Sequence, residues 1–521
     1  MFKSAVRCAL VLPLLTVACA SPDVLPANQV RTTSGIVEGA DAKAPGVRMF
    51  LGIPYAASAA GERRWTPPEP ALAWEGVRMA TTFGDRCVQT NPFPDMVFAS
   101  PAESEDCLSL SIWTPATASS DRLPVMVWIH GGGFFAGAAD EGRHEGSTLA
   151  SRGVVIVEPN YRLGAMGFLA HPELTAASPE KASGNYGLLD QAAALRWVRD
   201  NIDQFGGDPG NVTIFGESAG SLSVNALMAS PLAAGLFHRA IGQSGGYFSS
   251  QTLPLLSLVE AEKRGTALAT TLRASSLADL RSRPAAEIVK GTGNEPTNFA
   301  PIIDGHFLAA DIRDVFADGR QSPVPLLAGW NSAEIKLPPM TRAQFLARIR
   351  TQFPDDYAAA LKVYPAGTDE EASRSAVALA SDVFMGYGTW KWIETHTATG
   401  KAQVFRYLFD QIVPTATGSP APDDPGAGHA TDIEYVFNAF ESRKLAWRPE
   451  DREVAELMGS YWTNFAKTGN PNGSGLPNWP AWSTGAARQV MRLNATSRAE
   501  EEQHRARYEL HDAVEKRKRA K

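Results

Sequence analysis

The sequence predicts an α/β fold: one large, mostly parallel central sheet flanked by helices on both faces. Two observations carry this reading. Short apolar runs bounded by turn residues recur along the chain, the pattern of strands buried on both sides. Between them the hydrophobic period changes to helical spacing, and strands alternating with helices build a parallel sheet.

The elements follow in order. Val125-Met126-Val127-Trp128-Ile129 and Val154-Val155-Ile156-Val157 read as buried strands. From Asn185 to Phe205, Leu188, Leu189, Ala192, Leu195, Val198 and Ile202 fall on one helical stripe. Val212-Thr213-Ile214-Phe215 is a further strand that stops at Gly216, and residues 221–228 read as helix. Residues 249–300 carry polar helical patterns and no comparable strand. Pro325-Leu326-Leu327-Ala328 and Val404-Phe405-Arg406-Tyr407-Leu408 return to strand, and residues 418–428, dense in Gly, Pro and Asp, form a loop. At about 150 residues per domain the 521 residues would admit three. No linker separates independent units, so residues 31–495 read as one body with helical insertions. Residues 496–521 read as a charged tail, its basic run Lys516-Arg517-Lys518-Arg519 solvated.

Composition bounds the partners. With 44% hydrophobic and 20% charged residues a sizeable core can form. The net charge of −7 gives no reason to expect a nucleic-acid partner.

Residues 1–20 read as an export leader. Lys3 and Arg7 precede an apolar run, residues 9–15, that is shorter than the roughly 20 residues a membrane span needs. Two processing readings stay open. Ala18-Cys19-Ala20 suits ordinary secretion, whereas Leu15-Thr16-Val17-Ala18-Cys19 suits a bacterial lipobox with a lipid on Cys19. Residues 21–30 then read as a tether. Export leaves Cys87 and Cys107 in the folded body, and an oxidising compartment favours a disulfide between them.

The chemistry-bearing pattern is Gly216-Glu217-Ser218-Ala219-Gly220, set between a buried strand and a helix. Such a turn needs small residues beside the serine so that its hydroxyl stands clear. The helix that follows aims its positive end at charge developing there. Upstream, His130-Gly131-Gly132-Gly133-Phe134 follows a strand, and its glycines can offer backbone N–H groups, with that of Ala219, to a substrate oxyanion. Downstream, His429 lies in a glycine-rich loop and would serve as base. The acid has two candidates: Glu334, in Gly329-Trp330-Asn331-Ser332-Ala333-Glu334 after a strand, and Asp304, in a turn-like Pro301-Ile302-Ile303-Asp304-Gly305. No metal-ligand cluster is visible, and this chemistry requires neither metal nor cofactor.

Further stretches carry a resemblance. Phe50-Leu51-Gly52-Ile53-Pro54-Tyr55-Ala56, Glu105-Asp106-Cys107-Leu108, Asn160-Tyr161-Arg162-Leu163-Gly164, Gly184-Asn185-Tyr186-Gly187-Leu188-Leu189-Asp190-Gln191 and Gln243-Ser244-Gly245 stand in order with the serine motif. Together they resemble the type-B carboxylesterases, the family of cholinesterases and bacterial para-nitrobenzyl esterases. The resemblance implies an α/β-hydrolase fold and hydrolysis of small-molecule esters. It implies a Ser218–Glu334–His429 triad, an oxyanion hole from Gly132, Gly133 and Ala219, and a Cys87–Cys107 disulfide. Glu217, Ser244 and Asp432 match positions of a buried polar shell around the histidine. Two departures stand out. The acid sits in Ala333-Glu334-Ile335 rather than Asp-Glu-Gly, and the Cys87–Cys107 loop holds Phe93, Met96 and Phe98 but no Trp, which disfavours choline esters. Non-catalytic adhesion relatives of this family lack the nucleophile that this chain keeps.

Overall fold

A computed structural model describes residues 25–520 except 91, 101, 294, 417, 420–425, 484, 486 and 487. The leader and Cys19 lie outside the described residues. An eleven-stranded sheet forms the spine. Its strands are β1 (Ala40–Asp41), β2 (Arg48–Pro54), β3 (Ser109–Thr114), β4 (Leu123–Ile129), β5 (Val155–Pro159), β6 (Gly207–Glu217), β7 (Arg239–Gln243), β8 (Leu326–Asn331), β9 (Val404–Phe409), β10 (Gln489–Leu493) and β11 (Arg498–Glu501). They lie in the order β1-β2-β3-β5-β4-β6-β7-β8-β9-β10-β11. The six central pairings, from β5/β4 to β9/β10, are parallel; those at the two edges are antiparallel.

Strand alternation sorts the core into two layers. Val125, Val127, Ile129, Val212 and Ile214 face one side, whereas Met126, Trp128, Ile156, Phe215 and Ile241 face the other. The stripe read between Asn185 and Phe205 is the helix α1 (Tyr186–Asn201) with a short 3-10 extension to Phe205. The serine motif opens α2 (Ala219–Ala229), and the predicted helical insertions are present between Leu258 and Gly291. Among the described residues no helix is long and apolar enough to cross a membrane.

Two expectations are corrected. The segment read as a tail from residue 496 is no loose one: Arg498–Glu501 is β11 and Arg505–Arg519 is the helix α3, which buries Tyr508, Leu510, His511 and Glu515. Its basic run stays exposed, as read, while its side chains pair at the surface, Arg517 with Asp356, Arg519 with Asp314 and Lys518 with Glu515. The tether is shorter than read, because Gln29–Arg31 is a strand of a separate three-stranded sheet, with Val30 buried.

Candidate active site

The sequence-predicted residues converge at the carboxyl ends of the central strands, the usual ligand edge of a parallel sheet. Strands β4 and β6 pair with Gly216 opposite Ile129, so the glycine run leaving β4 lies beside the serine turn leaving β6. Ser218 has φ 55° and ψ −118°, a left-handed conformation that costs energy for a residue with a Cβ. It is held there by its own N–H, which donates to Gln243 O at 2.9 Å. The flanking glycines are dictated by space. A Cβ on Gly216 would lie 2.6 Å from Ile129 O, and one on Gly220 would collide with the same oxygen.

His429 joins the serine to an acid. Its Nε2 is 2.9 Å from Ser218 Oγ and its Nδ1 is 2.6 Å from Glu334 Oε2. The second oxygen of Glu334 accepts from Ser244 Oγ at 2.6 Å and from Asn331 N–H at 2.7 Å. Glu334 therefore faces the imidazole with its other contacts already made. Asp304 is elsewhere: its Oδ1 accepts from the N–H groups of His306 and Leu308, closing a local turn.

Gly132 (φ 101°) and Gly133 (φ 64°) adopt backbone that a side chain would strain. Among the described residues their N–H groups meet no protein acceptor, and that of Ala219 is an unpaired donor of the first turn of α2. These three donors stand on the two segments that meet at Ser218.

Two more carboxyls crowd the histidine. Glu217 Oε1 is 3.4 Å from His429 Nε2. Burial pushes Glu217 up to about 8; His429 opposes this, while Asp432 and Glu334 add to it. Burial also raises Asp432, which accepts from Gln243 Nε2 at 2.8 Å and Tyr407 OH at 3.2 Å. For His429 burial works against the charged ring, but Glu217, Glu334 and Asp432 outweigh it and raise the imidazole to about 9. A proton on Glu217 removes one of those charges, which returns the imidazole toward the neutral form that can accept a proton.

Sequence reasoning missed several supports. Asn331 Nδ2 donates to Gly428 O at 2.7 Å, fixing the loop just before His429. Gln243 is oriented by Trp462 Nε1 at 3.1 Å, and Phe384 meets the His429 ring edge-on at a centroid distance of 4.9 Å. Asn331 and Gln243 stand inside quoted motifs, but their partners are 97 and 219 residues away, so no local pattern announces the role. The Cys87–Cys107 disulfide is formed, and in its loop Phe93 stacks on Phe135 at 5.7 Å beside the glycine run.

A covered, mostly parallel sheet with a serine on a strained strand-to-helix turn defines the α/β-hydrolase class. The chain belongs to the carboxylesterase family, whose model matches residues 26–511. It is 36% identical over 471 residues to the fumonisin B1 esterase of Sphingopyxis macrogoltabida, covering 86% of this chain and 83% of that one. It is 35% identical over 498 residues to the human cocaine esterase, covering 88% and 85%. Among solved structures a PNB esterase superposes with a TM-score of 0.78 at 32% identity, covering 93% of this chain and 100% of that one. The protein is accordingly a carboxylic ester hydrolase.

Proposed function

We propose that this chain is an exported serine esterase that cleaves carboxylic esters through an acyl-enzyme on Ser218. The observation that supports this best is the continuous line Ser218 Oγ, His429, Glu334, with contacts of 2.9 and 2.6 Å. His429 Nε2 takes the Ser218 proton as Oγ adds to the ester carbonyl. The carbonyl electron pair moves onto oxygen, where the N–H groups of Gly132, Gly133 and Ala219 receive it. Collapse breaks the bond to the alcohol oxygen, which leaves with the proton from His429. Water repeats the sequence on the acyl-enzyme: His429 removes its proton, the acid departs, and Ser218 is reprotonated. Glu334 holds Nδ1–H and stabilises the imidazolium in both halves.

The same machinery would attack carbamates, amides or thioesters, since walls outside the triad choose the leaving group. The relatives' names, one for fumonisin B1 and one for cocaine, fit a shared ester-cleaving apparatus with a variable pocket. A p-nitrophenyl ester chain-length series on the wild type and Ser218→Ala tests the reading. Turnover should vanish in the variant at every chain length, and wild-type activity in Ser218→Ala overturns it. Export rests on the basic and apolar leader. Mass spectrometry of the mature N-terminus separates a lipidated Cys19 from a free secreted end, and an intact Met1 would overturn export.

A further inference from the structure

Gln89, two residues past Cys87, is buried, and its side-chain amide is fully used. Its Oε1 accepts from Gly137 N–H at 2.8 Å. Its Nε2 donates to Gly137 O at 3.0 Å and to Cys87 O at 2.9 Å. One side chain thus grips both polar groups of a single residue, as a neighbouring strand would. Gly137 in turn closes the glycine run. With φ 109° it lies so near the start of the run that a Cβ would meet His130 Nδ1 and, at 2.6 Å, Gly131 O. Within the run, Gly132 O accepts from Phe135 N–H and Ala136 N–H, so the turn behaves as one unit. His130 seats the near end: its ring stacks on Tyr161 at 4.3 Å, and Tyr161 OH donates to His130 O. At the far end the side-chain grip comes from Gln89.

The disulfide supplies the anchor behind that grip. Cys107, bonded to Cys87, adjoins β3, its carbonyl accepting from Ser109 N–H at 2.8 Å. A chain of covalent and hydrogen bonds therefore runs from the sheet through Cys107, Cys87 and Gln89 to Gly137.

We infer that Gln89 is a positioning residue for the oxyanion hole, fixing where the N–H groups of Gly132 and Gly133 stand, and that the disulfide acts on catalysis through it. This rests on the proposed role of those N–H groups. Of the loop's other contacts, Phe93 stacks on Phe135 within the run, whereas Asp95 pairs with Arg143 at 3.0 Å and Ala99 N–H reaches Asp140 O, both beyond it. A displaced donor weakens only what exists once the oxyanion has formed. The loss should therefore appear in kcat and not in KM.

The test compares Gln89→Met, which keeps length but no amide, with Gln89→Glu, which keeps the acceptor and loses both donors, and with Asp95→Asn as a loop control. Each is assayed with p-nitrophenyl acetate and titrated with an aryl trifluoromethyl ketone. Addition of Ser218 Oγ to that ketone leaves an oxyanion in the hole. Gln89→Met should lose about 10- to 100-fold in kcat, less than the ~10²–10³ of deleting a donor outright. KM should stay within about threefold, ketone affinity should fall in step with kcat/KM, Gln89→Glu should lie between, and Asp95→Asn should match the wild type. A folded Gln89→Met with kcat and ketone affinity within about twofold of wild type overturns the inference, as does an equal loss in Asp95→Asn. If Gln89→Met does not fold, Gln89→Glu decides by the same criteria. Ser218→Ala separates the two proposals: if it is dead while Gln89→Met is normal, only the role of Gln89 fails.

Discussion

Glu217 Oε1 and Ser218 Oγ address the same nitrogen, His429 Nε2, at 3.4 and 2.9 Å. The carboxylate that raises the imidazole thus sits beside the hydroxyl that the proposed mechanism has the imidazole deprotonate. Replacing Glu217 by Gln removes a negative charge from the charged form of His429 and lowers its pKa. The proposed mechanism needs the neutral ring, so the acidic limb of the kcat/KM–pH profile should move to lower pH, by roughly one unit for a partner this close. An unmoved limb, or a move to higher pH, would show that Glu217 does not set the base.

Glu334 and Asp304 make a paired prediction. Glu334→Gln keeps the shape but allows the Nδ1 partner to present its NH₂ group, favouring the wrong tautomer. Turnover should fall by about 10³- to 10⁴-fold. Asp304→Asn disturbs the turn to His306 and Leu308 and the contact with the Asn185 side chain, and should leave kcat near normal. Steady-state assays of both variants on one p-nitrophenyl ester check this, and a reversed pattern would move the acid to Asp304.

These two acids also mark where the sequence stopped being legible. The serine turn and the glycine run could be read locally because their chemistry needs a strand, small residues and a helix within a few positions. The acid could not be chosen by spacing alone: what fits Glu334 for its place is Ser244, 90 residues away, and the backbone of Asn331. The C-terminal segment was misread for a related reason. Composition shows the charges of α3 but not their partners Asp356 and Asp314, nor the pocket that takes Tyr508. Gln29 reads as tether because a three-residue strand has no period to display; its amide bonds Glu38 across the small sheet.

The disulfide has a thermodynamic consequence separate from its proposed link to Gln89. Cys87 and Cys107 are 20 residues apart, and closing a loop of that size restricts the unfolded chain by about 3 kcal/mol. The Cys87→Ser, Cys107→Ser double variant should lose about that much unfolding free energy in urea. Dithiothreitol should destabilise the wild type and leave the double variant unchanged. A double variant as stable as the wild type would mean that the loop is already restrained when unfolded.

His511 predicts how the docked C-terminal helix responds to acid. It is buried on α3, its Nε2 2.9 Å from Tyr364 OH and its ring edge-on to Phe353 at 5.5 Å. Burial, followed by the charges of Arg507 and Lys518, pulls it down to about 3, whereas the unfolded ring takes up a proton near pH 6.5. Between those values the unfolded state binds the extra proton. His511 therefore contributes no penalty above about pH 6.5, and stability declines as pH falls from there toward 3, by about 1.4 kcal/mol per pH unit. His130 and His504, each lowered to about 4, add slope of the same sign, so the difference between wild type and His511→Gln isolates this residue. Urea unfolding at pH 7.5, 6.0 and 5.0 should show the variant losing less stability on acidification than the wild type. Parallel curves would mean that the folded ring takes up its proton at the same pH as the unfolded one, its charge accommodated by Tyr364 OH and, through it, Asp382.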